Sequence, residues 1–65
     1  MAAIIERYVG REVIVYSSTG EVEHADRGHL QAADEHFLVL INANGEELIF
    51  PANLVREVKI NGVKH

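Results

Sequence analysis

Residues 28–41 read GHLQAADEHFLVLI. Gly28, Leu30 and Asp34 stand at fixed intervals just before the most apolar stretch of the chain, Phe37 to Ile41. In a strand, side chains alternate between faces. Phe37, Val39 and Ile41 then share one face, and Leu38 and Leu40 the other. A strand that is apolar on both faces needs cover on each. A small chain has one core, so a helix or a neighbouring subunit is expected to cover the second face. Upstream, a strand is expected from about Gly28 to Ala33. Gly28 lacks a side chain, so the strand can bend there or another backbone can come close. Asp34 is expected to cap the turn between the two strands by accepting backbone N–H groups.

Toward the N-terminus, Glu12 to Ser17 (EVIVYS) is rich in β-branched residues and reads as a strand. Val13 and Val15 fall on one face, Ile14 and Tyr16 on the other. SSTGE is a turn built on Gly20. The polar VEHADR segment reads as a loop or a ragged strand start. At the start of the chain, Ile4, Ile5, Tyr8 and Val9 form one apolar face of a short helix, and Gly10 ends it. The other reading of that segment is an earlier start to the first strand.

Toward the C-terminus, NANGEE is a turn around Asn44-Gly45. ELIF is the fourth strand, stopped by Pro51, which cannot donate to a ladder. PAN is a tight connector, LVREVKI the fifth strand, and Asn61-Gly62 the expected end of order. No repeat, low-complexity segment or linker interrupts the pattern, so residues 1–65 are expected to form a single domain.

The chain has 65 residues, no Cys and a net charge of −4. A domain of this size buries little surface and is marginal alone. Disulfides and thiolate zinc sites are excluded, which leaves oligomerisation as the expected support. No apolar run approaches the ~18 residues of a membrane span. No basic start followed by a long apolar stretch marks a signal peptide. A soluble, cytoplasmic protein with no membrane partner is expected, and the Cys-free composition fits a reducing compartment. Arg7, Arg11, Arg27, Arg56, Lys59 and Lys64 are scattered. That spacing argues against nonspecific duplex binding, which needs a basic face. A local site for a single strand is compatible with it, because stacking contributes alongside charge.

The expected fold is all-β: a small five-stranded, strongly bent antiparallel barrel, Sm-like or SH3-like in shape, with a short N-terminal helix. Closure limits the exposed edges that a flat sheet leaves.

Over residues 2–60 the chain resembles the Sm/LSm family. The first family motif has Gly, an apolar residue two positions on, Asp six on, then Met-Asn and apolar residues. Gly28, Leu30 and Asp34 match it, Phe37 takes the Met place and Ile41 the closing apolar place. The second motif runs along FPANLVREVKI, where Phe50, Asn53, Val55 and Val58 fit. The pattern is most similar to small bacterial or phage Sm-like domains, which carry a proline near the fourth connector. The resemblance implies a homo-oligomeric ring in which strand four of one subunit pairs with strand five of the next. It also implies a single-stranded RNA site at the pore, to which it assigns His36 at the base-stacking place and Asn53. This chain departs from the family at the pocket: Leu38 replaces Asn, and Pro51-Ala52 replace Arg-Gly.

Four other groups of residues invite chemistry. His24, Asp26 and His29 form H-x-D-x-x-H, whose side chains suit zinc or nickel; a solvated polar segment is the preferred reading. Asp34-Glu35-His36 has acid and base but no marked nucleophile, since Ser17, Ser18 and Thr19 lie in the expected turn. Glu46-Glu47 reads as a solvated acidic pair, and Tyr8 and Tyr16 as packing residues. No catalytic residue, metal or cofactor is assigned, and the chain is not expected to be an enzyme. The expected partners are further copies of the chain, single-stranded RNA, and a protein partner. The alternative function is an SH3-like protein-interaction module without nucleic acid.

Overall fold

A computed structural model describes residues 4–61. Gly62 and Lys64 lie outside the described residues.

Five strands form one antiparallel sheet: β1 (Glu12–Thr19), β2 (Val22–Ala33), β3 (Phe37–Ile41), β4 (Glu47–Pro51) and β5 (Val55–Ile60). The order across the sheet is β4-β3-β2-β1-β5, so β4 and β5 are its two edges. The expected closure into a barrel is not seen among the described residues, where no ladder joins β4 to β5. A three-residue 3₁₀ turn (Ala52–Leu54) leads straight into Val55, which already pairs with Ser17 of β1. β5 is committed to β1 as soon as it begins.

β1 alternates as its sequence implies: Val13, Val15 and Ser17 are buried, and Ile14 and Tyr16 lie on the other face. It is longer than expected. Ser17, Ser18 and Thr19 belong to the strand, and the turn shrinks to Gly20-Glu21 between the paired Thr19 and Val22. β2 consequently starts at Val22 rather than Gly28. Its ladder to β1 runs unbroken from Thr19↔Val22 to Glu12↔His29. Polar residues at 23–27 did not prevent this, because five of the first six residues of β2 are exposed and pay no burial cost.

The core is Val13, Val15, Leu30, Leu38 and Leu40. These come from adjacent strands and point to one side of the sheet. Leu48 and Phe50 on β4 and Val55, Val58 and Ile60 on β5 pack against it only partly buried. The opposite face of β3 and β4 stays open: Phe37 is 50% exposed and Ile49 60%.

Gly28 shows why a side chain is forbidden there. A Cβ built at position 28 would meet the carbonyl oxygen of Ile41, with the carbonyl carbon at 2.9 Å and Leu40 Cγ at 3.0 Å. Close backbone approach, one of the two readings of this glycine, is the one realised. Just beyond it, β2 carries an extra residue between Leu30 and Ala32 in its register with β3. Such a bulge increases local twist.

The N-terminal helix is a 3₁₀ turn, Ile4–Tyr8, with no fully buried residue. Three residues per turn bring Ile5 and Tyr8 onto one face, where both pack against the core. Ile4 and Val9 are left out at 73% and 45% exposure. Gly10 ends the turn with φ +94°, a conformation that suits glycine. Its N–H donates to the Leu30 carbonyl at 2.7 Å, and the Leu30 N–H donates to the Arg11 carbonyl at 3.0 Å.

Candidate functional site

The Asp34 carboxylate organises the β2–β3 turn. Its Oδ1 accepts the His36 N–H at 2.7 Å and the Phe37 N–H at 2.8 Å. Asp34 also donates its own N–H to the Phe37 carbonyl at 3.0 Å. The His36 bond foremost, then the Phe37 bond, hold the Asp34 carboxyl below its usual range. Both bonds favour the ionised form, which accepts more strongly. The capping role expected of Asp34 is therefore realised.

This turn is tied to the β4–β5 connector. The Ala52 N–H donates to the His36 carbonyl at 2.7 Å. His36 and Asn53 thus stand on two neighbouring segments at one end of the sheet, and both are exposed. Phe37, half exposed, pairs with Pro51 at the same end. Leu38 is 4% exposed and belongs to the core, so it presents nothing to that surface. Histidine, asparagine and an aromatic ring at an exposed end can stack on a flat ring and bond its edge.

H-x-D-x-x-H does not assemble. His24 and Asp26 lie on the face of Ser17 and Val15, their partners in register. His29 is an odd number of residues from both in effect on facing, since it pairs with Glu12 on the opposite face from His24. His24 Nε2 is 3.2 Å from Thr19 Oγ1. Among the described residues no group of three or more His, Asp or Glu side chains gathers to hold a metal.

Asn42 opens the expected NANGEE turn, where no bonding role was assigned to it beside Asn44-Gly45. Its Oδ1 accepts the N–H of Asn44 at 3.0 Å and of Glu46 at 2.9 Å, and its Nδ2 donates to Glu46 Oε1 at 2.8 Å. Asn two residues ahead of a turn's centre is the available signal. Glu46 is therefore part of the turn's own bonding. Tyr8 packs on the core as expected, and Tyr16 lies beneath Lys59 Nζ at 5.7 Å from the ring centroid.

A depression of about 170 Å³ lies at the other end of β3, lined by Glu12, Arg27, Gly28, His29, Asn42 and Ala43. It is well below the roughly 300 Å³ at which small-molecule pockets begin. Among the described residues, no helix is long and apolar enough to cross a membrane. In comparisons with protein-family models, curated proteins and solved structures, the chain matches none.

Proposed function

We propose that the chain is a non-enzymatic, Sm-like protein of the cytoplasm that assembles head-to-tail into a homo-oligomeric ring and binds single-stranded RNA. The sheet closes into a barrel-like unit only through its neighbours, β4 of one copy pairing with β5 of the next. The RNA site is the end of the sheet carrying His36 and Asn53. His36 stacks on a base and Asn53 bonds its edge. The observation that carries the reading is the bond from the Ala52 N–H to the His36 carbonyl, which holds the two segments together. A ring would repeat this small site around one face, so that many weak contacts act on one strand.

Leu38, Pro51 and Ala52 stand at the places of the family's pocket residues and offer no base-edge bond or cation. The site therefore discriminates poorly among bases, and stacking carries its affinity. Fluorescence anisotropy with labelled oligo-U and oligo-A at two salt concentrations tests this. Salt-sensitive binding to both, reduced by His36→Ala, is expected. An absence of binding at both salts would instead favour the second reading, an SH3-like protein-interaction module. The net charge of −4 and the half-exposed Phe37 favour that alternative.

A further inference from the structure

The β3–β4 turn holds a reactive pair of residues in an unreactive shape. Asn44 is followed by Gly45, and both are exposed. A side-chain amide can be attacked by the backbone nitrogen of the next residue, and glycine shields that nitrogen least. The surroundings of Gly45 are open as well, since a Cβ built there would meet nothing within 4 Å.

The shape of the turn follows from its bonds. The Gly45 N–H donates to the Asn42 carbonyl at 3.0 Å, so residues 42–45 form a hydrogen-bonded turn. Among the described residues no residue other than glycine has a positive φ, which leaves type I as the form open to Ala43 and Asn44. Asn44 then takes the third place of the turn, where ψ is about 0°.

Ring closure needs a different ψ. Asn44 Cγ reaches the Gly45 nitrogen only when Asn44 Cβ eclipses that nitrogen about the Cα–C bond. With ψ about 0°, the Asn44 nitrogen holds the eclipsed place and Cβ stands a third of a turn away. The amide and its attacker are thus neighbours in sequence and kept apart in space. Rotation that brings them together swings Gly45 out of the turn and breaks its bond to the Asn42 carbonyl. It also displaces Glu46, whose N–H donates to Asn42 Oδ1 at 2.9 Å. The same oxygen accepts the Asn44 N–H at 3.0 Å, and Asn42 Nδ2 donates to Glu46 Oε1 at 2.8 Å. One side chain resists the motion from both sides of the reactive pair.

We propose that Asn44-Gly45 is a site of self-modification that the Asn42 side chain holds shut. When the turn opens, the Gly45 nitrogen gives its proton to a solvent base and bonds Asn44 Cγ. The Cγ–Nδ2 bond breaks, and the amide nitrogen takes up a proton and leaves as ammonia. The product is a five-membered imide, and water adds to either of its carbonyls. Cleavage at the side-chain carbonyl leaves an aspartate. Cleavage at the main-chain carbonyl leaves an isoaspartate, in which the chain runs through the former side chain. Both products add a carboxylate next to Glu46 and Glu47, where β4 begins. The isoaspartate also adds a carbon to the backbone of the turn, so the bond from Gly45 to Asn42 is not remade in the same ring. The reaction needs no partner and is independent of the proposed assembly.

The chain carries an internal reference, a second Asn-Gly pair at positions 61 and 62. Trypsin cuts after Arg27, Arg56 and Lys59 and so places the two pairs in different peptides. The chain is incubated at neutral pH, folded in buffer or unfolded in guanidinium chloride, and its peptides are followed by mass and by isoaspartate content. Wild type is expected to react at Asn44 quickly when unfolded and slowly when folded. Asn42→Ala, with its circular dichroism retained, is expected to react at Asn44 roughly tenfold faster than folded wild type, the gain in open turn from losing two exposed bonds. Its rate at Asn61 is expected to be unchanged. Asn42→Asp/Glu46→Gln keeps an accepting oxygen at position 42 and a donor facing it, and is expected to react at Asn44 as slowly as wild type. Equal Asn44 rates in folded and unfolded wild type would overturn the proposal, as would no reaction at Asn44 in the unfolded chain. A folded Asn42→Ala with the wild-type rate would overturn the role of Asn42. If Asn42→Ala does not fold, the double variant decides that role: a folded double variant reacting as fast as the unfolded chain would overturn it.

Discussion

The Ile41 carbonyl oxygen occupies the space that a Cβ at Gly28 would need. This backbone-to-backbone approach brings the middle of β2 against the end of β3 and lets Leu30 and Leu40 pair within the core. Gly28→Ala must push the Ile41 backbone aside, which a flexible side chain could do cheaply but a laddered carbonyl cannot. A loss of about 1–3 kcal/mol in unfolding free energy is expected, the usual cost of forcing atoms into a packed site. Urea titration of the variant beside wild type measures it. An unchanged midpoint would contradict the close approach.

Asp34 makes stability depend on pH in a defined direction. Its carboxyl is held below its usual range by the N–H groups of His36 and Phe37. A carboxylate depressed in the folded state contributes its full stabilisation above its unfolded pKa of about 3.9. The contribution is lost as pH falls through the lower folded value. Thermal melts of wild type and Asp34→Asn between neutral pH and pH 2 are expected to converge on acidification, with wild type ahead at neutral pH. Parallel curves throughout would mean that the carboxylate has no such role.

Leu40 and Ile49 are large aliphatic residues on neighbouring strands with opposite surroundings. Leu40 is 0% exposed and Ile49 60%. Leu40→Ala is expected to cost about 2–5 kcal/mol of folding stability, the range for emptying a core site. Ile49→Ala is expected to stay within about 0.5 kcal/mol for the isolated chain, as for other surface substitutions. Chemical denaturation at low protein concentration compares the two directly. Equal losses would show that Ile49 packs within its own chain.

His36 and Asn53 differ in what their removal does to a bound strand. Loss of a stacking base partner costs about 1–3 kcal/mol. His36→Ala is therefore expected to weaken oligo-U and oligo-A binding to a similar extent. Asn53→Ala is expected to weaken both by less than His36→Ala does, because stacking carries most of the affinity. Anisotropy titrations of both variants with both oligonucleotides check this, and a wild-type affinity in His36→Ala removes His36 from the site.

Legibility in the sequence followed the local physics of each segment. β1 and β3 were readable because Val13 to Tyr16 and Phe37 to Ile41 are short continuous runs of β-branched, aromatic and aliphatic residues. Gly28 and Asp34 were readable because their roles are local in the backbone. The first half of β2 was not, because Glu23, His24 and Asp26 carry no apolar period; only the ladder to β1 makes them a strand. The 3₁₀ form of residues 4–8 was hidden because Ile4, Ile5, Tyr8 and Val9 also fit an α-helical face. At the site, His36 and Asn53 are far apart in sequence, and their proximity depends on one bond between Ala52 and His36. Asn42 was legible as part of the NANGEE turn, but its bonds to Asn44 and Glu46 were not singled out, because Asn44-Gly45 carries the stronger turn signal.

The proposed ring requires the edges β4 and β5 to join copies of the chain. Multi-angle light scattering of the wild-type protein, run over a range of concentrations, measures this most directly. A single species at a constant integer multiple of the chain mass, still present on dilution to the micromolar range, is predicted. A folded species at the mass of one chain across that range would contradict it.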